Sequence, residues 1–110
     1  MATAYKILGQ SLPADTNNAT LYTEPASTEG IVSTLTITNV SGTDASFRVF
    51  VVEDGGSAST SNALVYDATI AANSYTAFTL GITLGAADSL LVRSGTGSAV
   101  CFQAFGTELT

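Results

Sequence analysis

Histidine and tryptophan are absent from this 110-residue sequence, which contains one cysteine, two prolines and three basic residues. Without histidine, the chain lacks the commonest general base and the commonest metal ligand. The single cysteine, Cys101, cannot form an internal disulfide, and no histidine is present to activate it as a nucleophile. We expect Cys101 to act as a small hydrophobe in a buried strand. The sequence therefore predicts no catalytic residue, no metal site and no cofactor.

Charge is sparse and mostly negative, because Lys6, Arg48 and Arg93 stand against nine acidic residues and the net charge is −6. The chain therefore lacks the clustered basic residues that binding to a nucleic-acid backbone needs. A negative chain is also disfavoured at an anionic membrane surface. No apolar run approaches the ~20 residues of a membrane-spanning helix, and no signal-peptide pattern is present. We expect no nucleic-acid or membrane partner, and synthesis in a cytoplasm.

The sequence is rich in β-forming residues. Threonine, valine, isoleucine and phenylalanine alternate with other residues in about eight short segments, which turn-forming residues separate. No segment shows helical periodicity. This spacing is typical of a sandwich or barrel, and a chain of this size can bury one core without disulfides. We predict an all-β protein with a single domain over residues 1–110, an antiparallel β-sandwich that is Ig-like or jelly-roll-like.

Turn chemistry suggests how the strands pair. Two β-rich runs between residues 31 and 54 flank Ser-Gly-Thr-Asp at 41–44, and this pattern predicts a long hairpin. A second hairpin is predicted across Asn73, between segments 62–71 and 74–83. Residues 1–10 form either an ordinary edge strand or an N-terminal arm that adds to a neighbour's sheet.

One strand indicates where the chain contacts other molecules. The run 45–54, the second of the predicted hairpin, is apolar on both faces, which predicts a position in the middle of a sheet with the second face against a partner or a loop. Phe50 on that second face is either an interface anchor or a residue that the chain itself covers. The interface residues that we predict are Tyr5, Ile7, Phe50 and Phe105, and the loop 55–62 is the next candidate.

Segments across most of the chain resemble small β-sandwich virion proteins of tailed phages, particularly phages of cyanobacteria. They are Ala-Tyr-Lys-Ile-Leu-Gly-Gln at 4–10, Thr-Leu-Tyr-Thr-Glu-Pro-Ala at 20–26, Val-Ser-Thr-Leu-Thr-Ile-Thr-Asn at 32–39, Leu-Val-Tyr-Asp at 64–67, Phe-Thr-Leu-Gly-Ile-Thr-Leu at 78–84 and Phe-Gly-Thr-Glu-Leu-Thr at 105–110. These are framework strands rather than a site, so no functional residue is carried over. The resemblance implies a β-sandwich located on the phage particle.

The function that this resemblance implies is structural. The first hypothesis is a capsid decoration (cement) protein that binds the major capsid protein and stabilises the head shell, as a homo-oligomer with a trimer favoured. The alternative is a tail, neck or baseplate accessory protein that attaches fibres and binds a tail or neck protein. A carbohydrate-binding module is a third hypothesis, weakened because tryptophan, a frequent sugar-stacking residue, is absent. We do not expect an enzyme.

Overall fold

Nine β-strands form two antiparallel sheets that pack face to face in the computed structural model, which describes residues 2–110. The segments are short and rich in β-branched residues, which fit a pleated surface with one face buried. The strands are β1 (Thr3–Ser11), β2 (Ala19–Thr23), β3 (Glu29–Asn39), β4 (Ala45–Val52), β5 (Ala63–Ile70), β6 (Tyr75–Phe78), β7 (Ile82–Leu84), β8 (Ser89–Ser94) and β9 (Val100–Leu109). One 3-10 turn, Thr60–Asn62, precedes β5.

The order of the strands identifies the kind of sandwich. The first sheet runs β1-β9-β3-β6, with β7 also paired to β3, and the second runs β2-β8-β4-β5. Strands β6 and β7 share one position beside β3, so nine strands fill eight positions. The chain repeatedly crosses between the sheets, and its last strand lies between the first and the third, as in a jelly roll. The predicted β-sandwich is confirmed, and its form is jelly-roll-like rather than Ig-like.

Both predicted hairpins are wrong. Strands β3 and β4 lie in different sheets, and so do β5 and β6. The turn residues correctly mark where strands end, but both turns are crossovers between the sheets. Asn39 ties the two crossovers together, since its Nδ2 donates to the carbonyl oxygens of Thr43 at 2.8 Å and Ile70 at 3.1 Å. The turn residues therefore predict where a strand ends, but they do not predict which strand it pairs with.

The predicted strand 74–83 is also interrupted. Residues 79–81 separate β6 from β7, and Gly81 has a φ of 63°. Glycine adopts this left-handed conformation at no steric cost, whereas other residues rarely do. The segment therefore pairs with β3 twice, through Tyr75–Phe78 and again through Ile82–Leu84.

The core lies between the sheets and follows the predicted alternation. Leu35 and Ile37 of β3 are buried, and their neighbours Thr34, Thr36 and Thr38 are only half-buried.

Three phenylalanines join the two sheets inside this core. The Phe47 ring centroid in β4 lies 6.3 Å from that of Phe102 and 6.4 Å from that of Phe78. Burying one such side chain contributes about 1.5–3 kcal/mol, so this cluster is a main source of stability.

Strand β1 closes one edge of the first sheet. It pairs with β9 of the same chain, with a bulge between Ile7 and Gly9. Beyond the strand, the Ala2 nitrogen donates to the Thr110 oxygen at 3.0 Å and the Thr110 nitrogen donates to the Ala2 oxygen at 2.9 Å. In this chain, residues 3–11 therefore form an edge strand of the one sandwich.

Candidate functional site

Among residues 2–110, the outer face of the first sheet carries one charged side chain, that of Glu29, which lies opposite Leu109. We call the rest of this face the uncharged face. Glu29 lies at its margin, at the start of β3. Strand registers and the alternation of side chains define its members. They are Thr3, Tyr5, Ile7 and Gln10 of β1, Ile31, Thr34, Thr36 and Thr38 of β3, Tyr75 and Ala77 of β6, Thr83 of β7, and Cys101, Gln103, Phe105, Thr107 and Leu109 of β9.

Two charged residues of these strands turn away from the uncharged face. Lys6 and Glu108 lie on the inner side, where the Lys6 Nζ is 2.6 Å from Glu108 Oε1. Apart from Glu29, the outward positions of β3 and β9 hold serine, threonine, glutamine and apolar residues. Apart from Glu29, the charged residues that give the net charge of −6 thus lie outside the outward positions of this sheet.

An apolar cluster occupies one end of the uncharged face. Tyr5 is 83% exposed, Ile7 56% and Ile31 40%. The register places Ile7 opposite Phe105, and it places Thr107 between Tyr5 and Ile31. Three of the predicted interface residues, Tyr5, Ile7 and Phe105, are therefore neighbours on one surface. Their role in an interface stays a prediction.

The fourth predicted interface residue, Phe50, is on the outer side of the second sheet. Its ring is 2% exposed and stands edge-on to the Tyr66 ring, with the centroids 6.5 Å apart. The strand is central, as its two apolar faces predict, because β4 lies between β8 and β5. The chain itself covers Phe50, so a partner can reach that ring only if its cover moves.

Cys101 differs from the expectation of a buried strand residue. It lies on the uncharged face opposite Thr38 and is half-buried. Its neighbours Val100 and Phe102 take the inward positions instead.

A buried polar network lies where the first and second sheets meet. The Tyr22 hydroxyl of β2 donates to Glu24 Oε1 at 3.1 Å and also bonds to Glu108 Oε2 of β9. Glu24 is 1% exposed, and its Oε2 has no hydrogen-bond partner among residues 2–110. The Gly30 Cα faces this carboxylate so closely that an added Cβ would lie 2.3 Å from Oε2.

The two carboxylates of this network have opposite electrostatic environments. Burial raises the pKa of Glu24, and the nearby negative charge of Glu108 adds to the rise. Hydrogen bonds from Lys6 and then from Tyr22 lower the pKa of Glu108. Burial and the bond to Glu108 raise the pKa of Tyr22, so its hydroxyl keeps its proton. The arrangement couples the stability of the fold to the protonation of Glu24.

A second polar site lies on the outer side of the second sheet. Arg48 bonds Asp67 through two nitrogens, at 2.7 and 2.9 Å, and its guanidinium lies 3.9 Å from the centroid of the Tyr66 ring. Asp67 has a φ of 55°, within an irregularity of β5. The hydrogen bonds to Arg48 lower the pKa of Asp67. The site is a compact ion pair that fixes the outward side of β4 and β5.

Over residues 2–110, no three potential ligand side chains of the His, Cys, Asp or Glu type come together. The same residues include no helix with the length and apolar character that crossing a bilayer requires. A cleft of about 640 Å³ lies at one end of the sandwich. Small residues form most of its lining, and Glu29 and Asp88 also line it.

Comparison with known proteins finds a likeness in fold to a solved viral structure. No protein-family model matches the sequence, and no curated protein matches it. One chain of the solved structure of the infectious bursal disease virus Gx strain is similar, with a TM-score of 0.52 and 13% sequence identity. The alignment covers 98% of this chain and 32% of the viral chain, so this chain spans about a third of that protein's length. At this identity the likeness concerns the fold alone.

Proposed function

We propose that this protein is a structural component of a virus particle and works by packing against neighbouring subunits. The observation that carries the proposal is the uncharged face, where Tyr5, Ile7 and Ile31 are exposed together on a chain with a net charge of −6. Exposed apolar patches usually mark sites of association. The likeness in fold to a chain of a virus structure supports the same function by analogy.

Within this proposal, the favoured role is that of a phage capsid decoration protein that binds the major capsid protein and stabilises the head shell. The acidic surface suits an outer location, because packaged DNA would repel it. Each contact with the shell stabilises it only modestly, but many such contacts repeated around the shell stabilise it strongly. A tail, neck or baseplate accessory protein is the alternative, and both are non-enzymatic roles.

Copy number tests the proposal. We expect quantitative mass spectrometry of purified particles of the encoding virus to give this chain in a simple ratio to the major capsid protein. Particles that lack the chain should regain heat resistance when the purified protein is added. A copy number of a few per cent or less would instead support the tail or neck alternative. Absence of the chain from the particle would overturn the structural role.

A further inference from the structure

The uncharged face sets a requirement on whatever covers it. Its strands present threonine, glutamine and apolar side chains, and the one charged side chain beside them is that of Glu29, which is exposed opposite Leu109. A partner that brought charged groups onto this face would strip them of water without giving them a counter-charge, which is costly. The surface that covers it must therefore be uncharged as well.

We propose that the occupant is a second copy of this chain, packed with its own uncharged face against the first. This inference rests on the proposed function, because it names the partner of the packing surface. Elsewhere two copies, each with a net charge of −6, would repel each other. The hydroxyl groups of Thr34, Thr36 and Thr107 can each donate and accept, so such a surface can hydrogen-bond to itself.

The apolar cluster supplies the driving force for this pairing. Tyr5 is 83% exposed and Ile7 is 56% exposed in the single chain, and both lie on β1 beside Phe105 of β9. Removing these side chains from water contributes about 25 cal/mol per Å² of apolar area.

The dimensions of the face fit a weak but specific dimer. Four strand positions at about 4.8 Å and a β9 length of about 33 Å give roughly 600 Å² per copy. Two copies then bury roughly 1,200 Å², the lower end of the range for specific interfaces. We expect dissociation in the micromolar range rather than a permanent dimer.

Symmetry limits the assembly to two copies. A surface that packs against itself makes a two-fold contact, which closes when the pair has formed. The trimer that the sequence favoured would need a different surface. In the pair, the two β2-β8-β4-β5 sheets point in opposite directions, so a dimer can bridge two neighbouring subunits of a shell.

Sedimentation equilibrium of the purified full chain tests the inference. From about 1 μM to about 1 mM we expect a reversible monomer–dimer equilibrium. Ile7→Lys and Thr36→Lys, at the edge and the middle of the face, should each weaken dimerisation by about tenfold or more. Leu64→Lys is the matched control, because Leu64 is 46% exposed on the opposite sheet. It should leave the dimer unchanged.

Thermal unfolding of each variant separates loss of pairing from loss of folding, and two variants at separate sites guard against one that fails to fold. A chain that stays monomeric to about 1 mM overturns the inference, and so does a trimer. The inference is also overturned if Leu64→Lys abolishes the dimer while Ile7→Lys and Thr36→Lys leave it intact. None of these results alters the copy number in particles, which tests the proposed function independently of the dimer.

Discussion

Replacing Glu24 with glutamine should stabilise the protein at neutral and alkaline pH, with little effect at low pH. The Glu24 side chain is 1% exposed, and its Oε2 has no partner among residues 2–110. Glutamine keeps an oxygen that accepts the hydrogen bond from Tyr22, and it cannot ionise. The variant therefore resembles the protonated state of Glu24 at every pH.

The sign of the effect follows from the pKa of Glu24, which burial raises above its ordinary value. Below about pH 4, Glu24 is protonated in the folded and the unfolded chain, and the wild type has no penalty. As the pH rises through the folded-state pKa, the unfolded chain releases its proton more easily, and the wild type loses stability. Glu108, whose pKa is lowered, has the opposite dependence but is present in both proteins.

The magnitude follows from the unpaired oxygen. A buried group left without a hydrogen bond costs about 1–3 kcal/mol, and more if it is charged. At about pH 8 we therefore expect Glu24→Gln to raise the free energy of unfolding by about 1–3 kcal/mol relative to its effect at about pH 4. For a chain of this size, that difference corresponds to an increase in Tm of roughly 4–12 °C.

Urea unfolding followed by circular dichroism, at several pH values between these limits, measures the effect. Glu53→Gln is the matched control. It removes the same charge from an exposed carboxylate, just beyond the end of β4. A difference between Glu24→Gln and the wild type that stays constant with pH would refute the reasoning. So would a variant that loses stability relative to the wild type as the pH rises.

Three further substitutions test the packing. Gly30→Ala should destabilise the fold by about 1–3 kcal/mol, and most of that penalty should vanish beside Glu24→Ala, because the three atoms nearest the new Cβ all belong to the Glu24 carboxylate; additive urea-unfolding energies in this double-mutant cycle would contradict the contact. Asn39→Ala should cost about 1–3 kcal/mol in the same assay by removing the hydrogen bonds that its amide donates to the Thr43 and Ile70 carbonyl oxygens; a neutral result would show that the crossovers hold without it. Phe102→Ala should cost about 3–5 kcal/mol, far more than Phe105→Ala on the outer face, and equal losses of Tm would contradict the assigned register.

The sequence was informative about which residues form strands and which of their faces point inward. Alternation puts Leu35 and Ile37 on one face of their segment, and the structure buries that face, whereas in the last segment it buries Phe102 rather than the expected Cys101. Pairing was not predictable, because the same turn residues serve a hairpin and a crossover between sheets. Which one forms depends on the packing of distant strands, as when Asn39 bonds to the carbonyl oxygen of Ile70.

The candidate site was predictable only in part, for the same reason. Tyr5, Ile7 and Phe105 each occupy an outward position that alternation indicates, but only the pairing of β1 with β9 makes them neighbours. The buried network of Tyr22 and Glu108 joins residues 86 positions apart, and no local pattern announces it. For Phe50, the sequence pattern indicates a second apolar face of its strand, but it does not indicate whether the chain itself or a partner covers that face.

The position of β9 between β1 and β3 has a consequence for synthesis on the ribosome. Both neighbours of β9 precede it in the chain, so β1 and one edge of β3 lack this partner until the segment Val100–Leu109 has been made. Contacts between distant segments slow folding, and unpaired strand edges can join those of other chains meanwhile. Residues up to Leu109 must therefore have been made before the first sheet can close, and strand β1, with its exposed Tyr5 and Ile7, waits longest for β9.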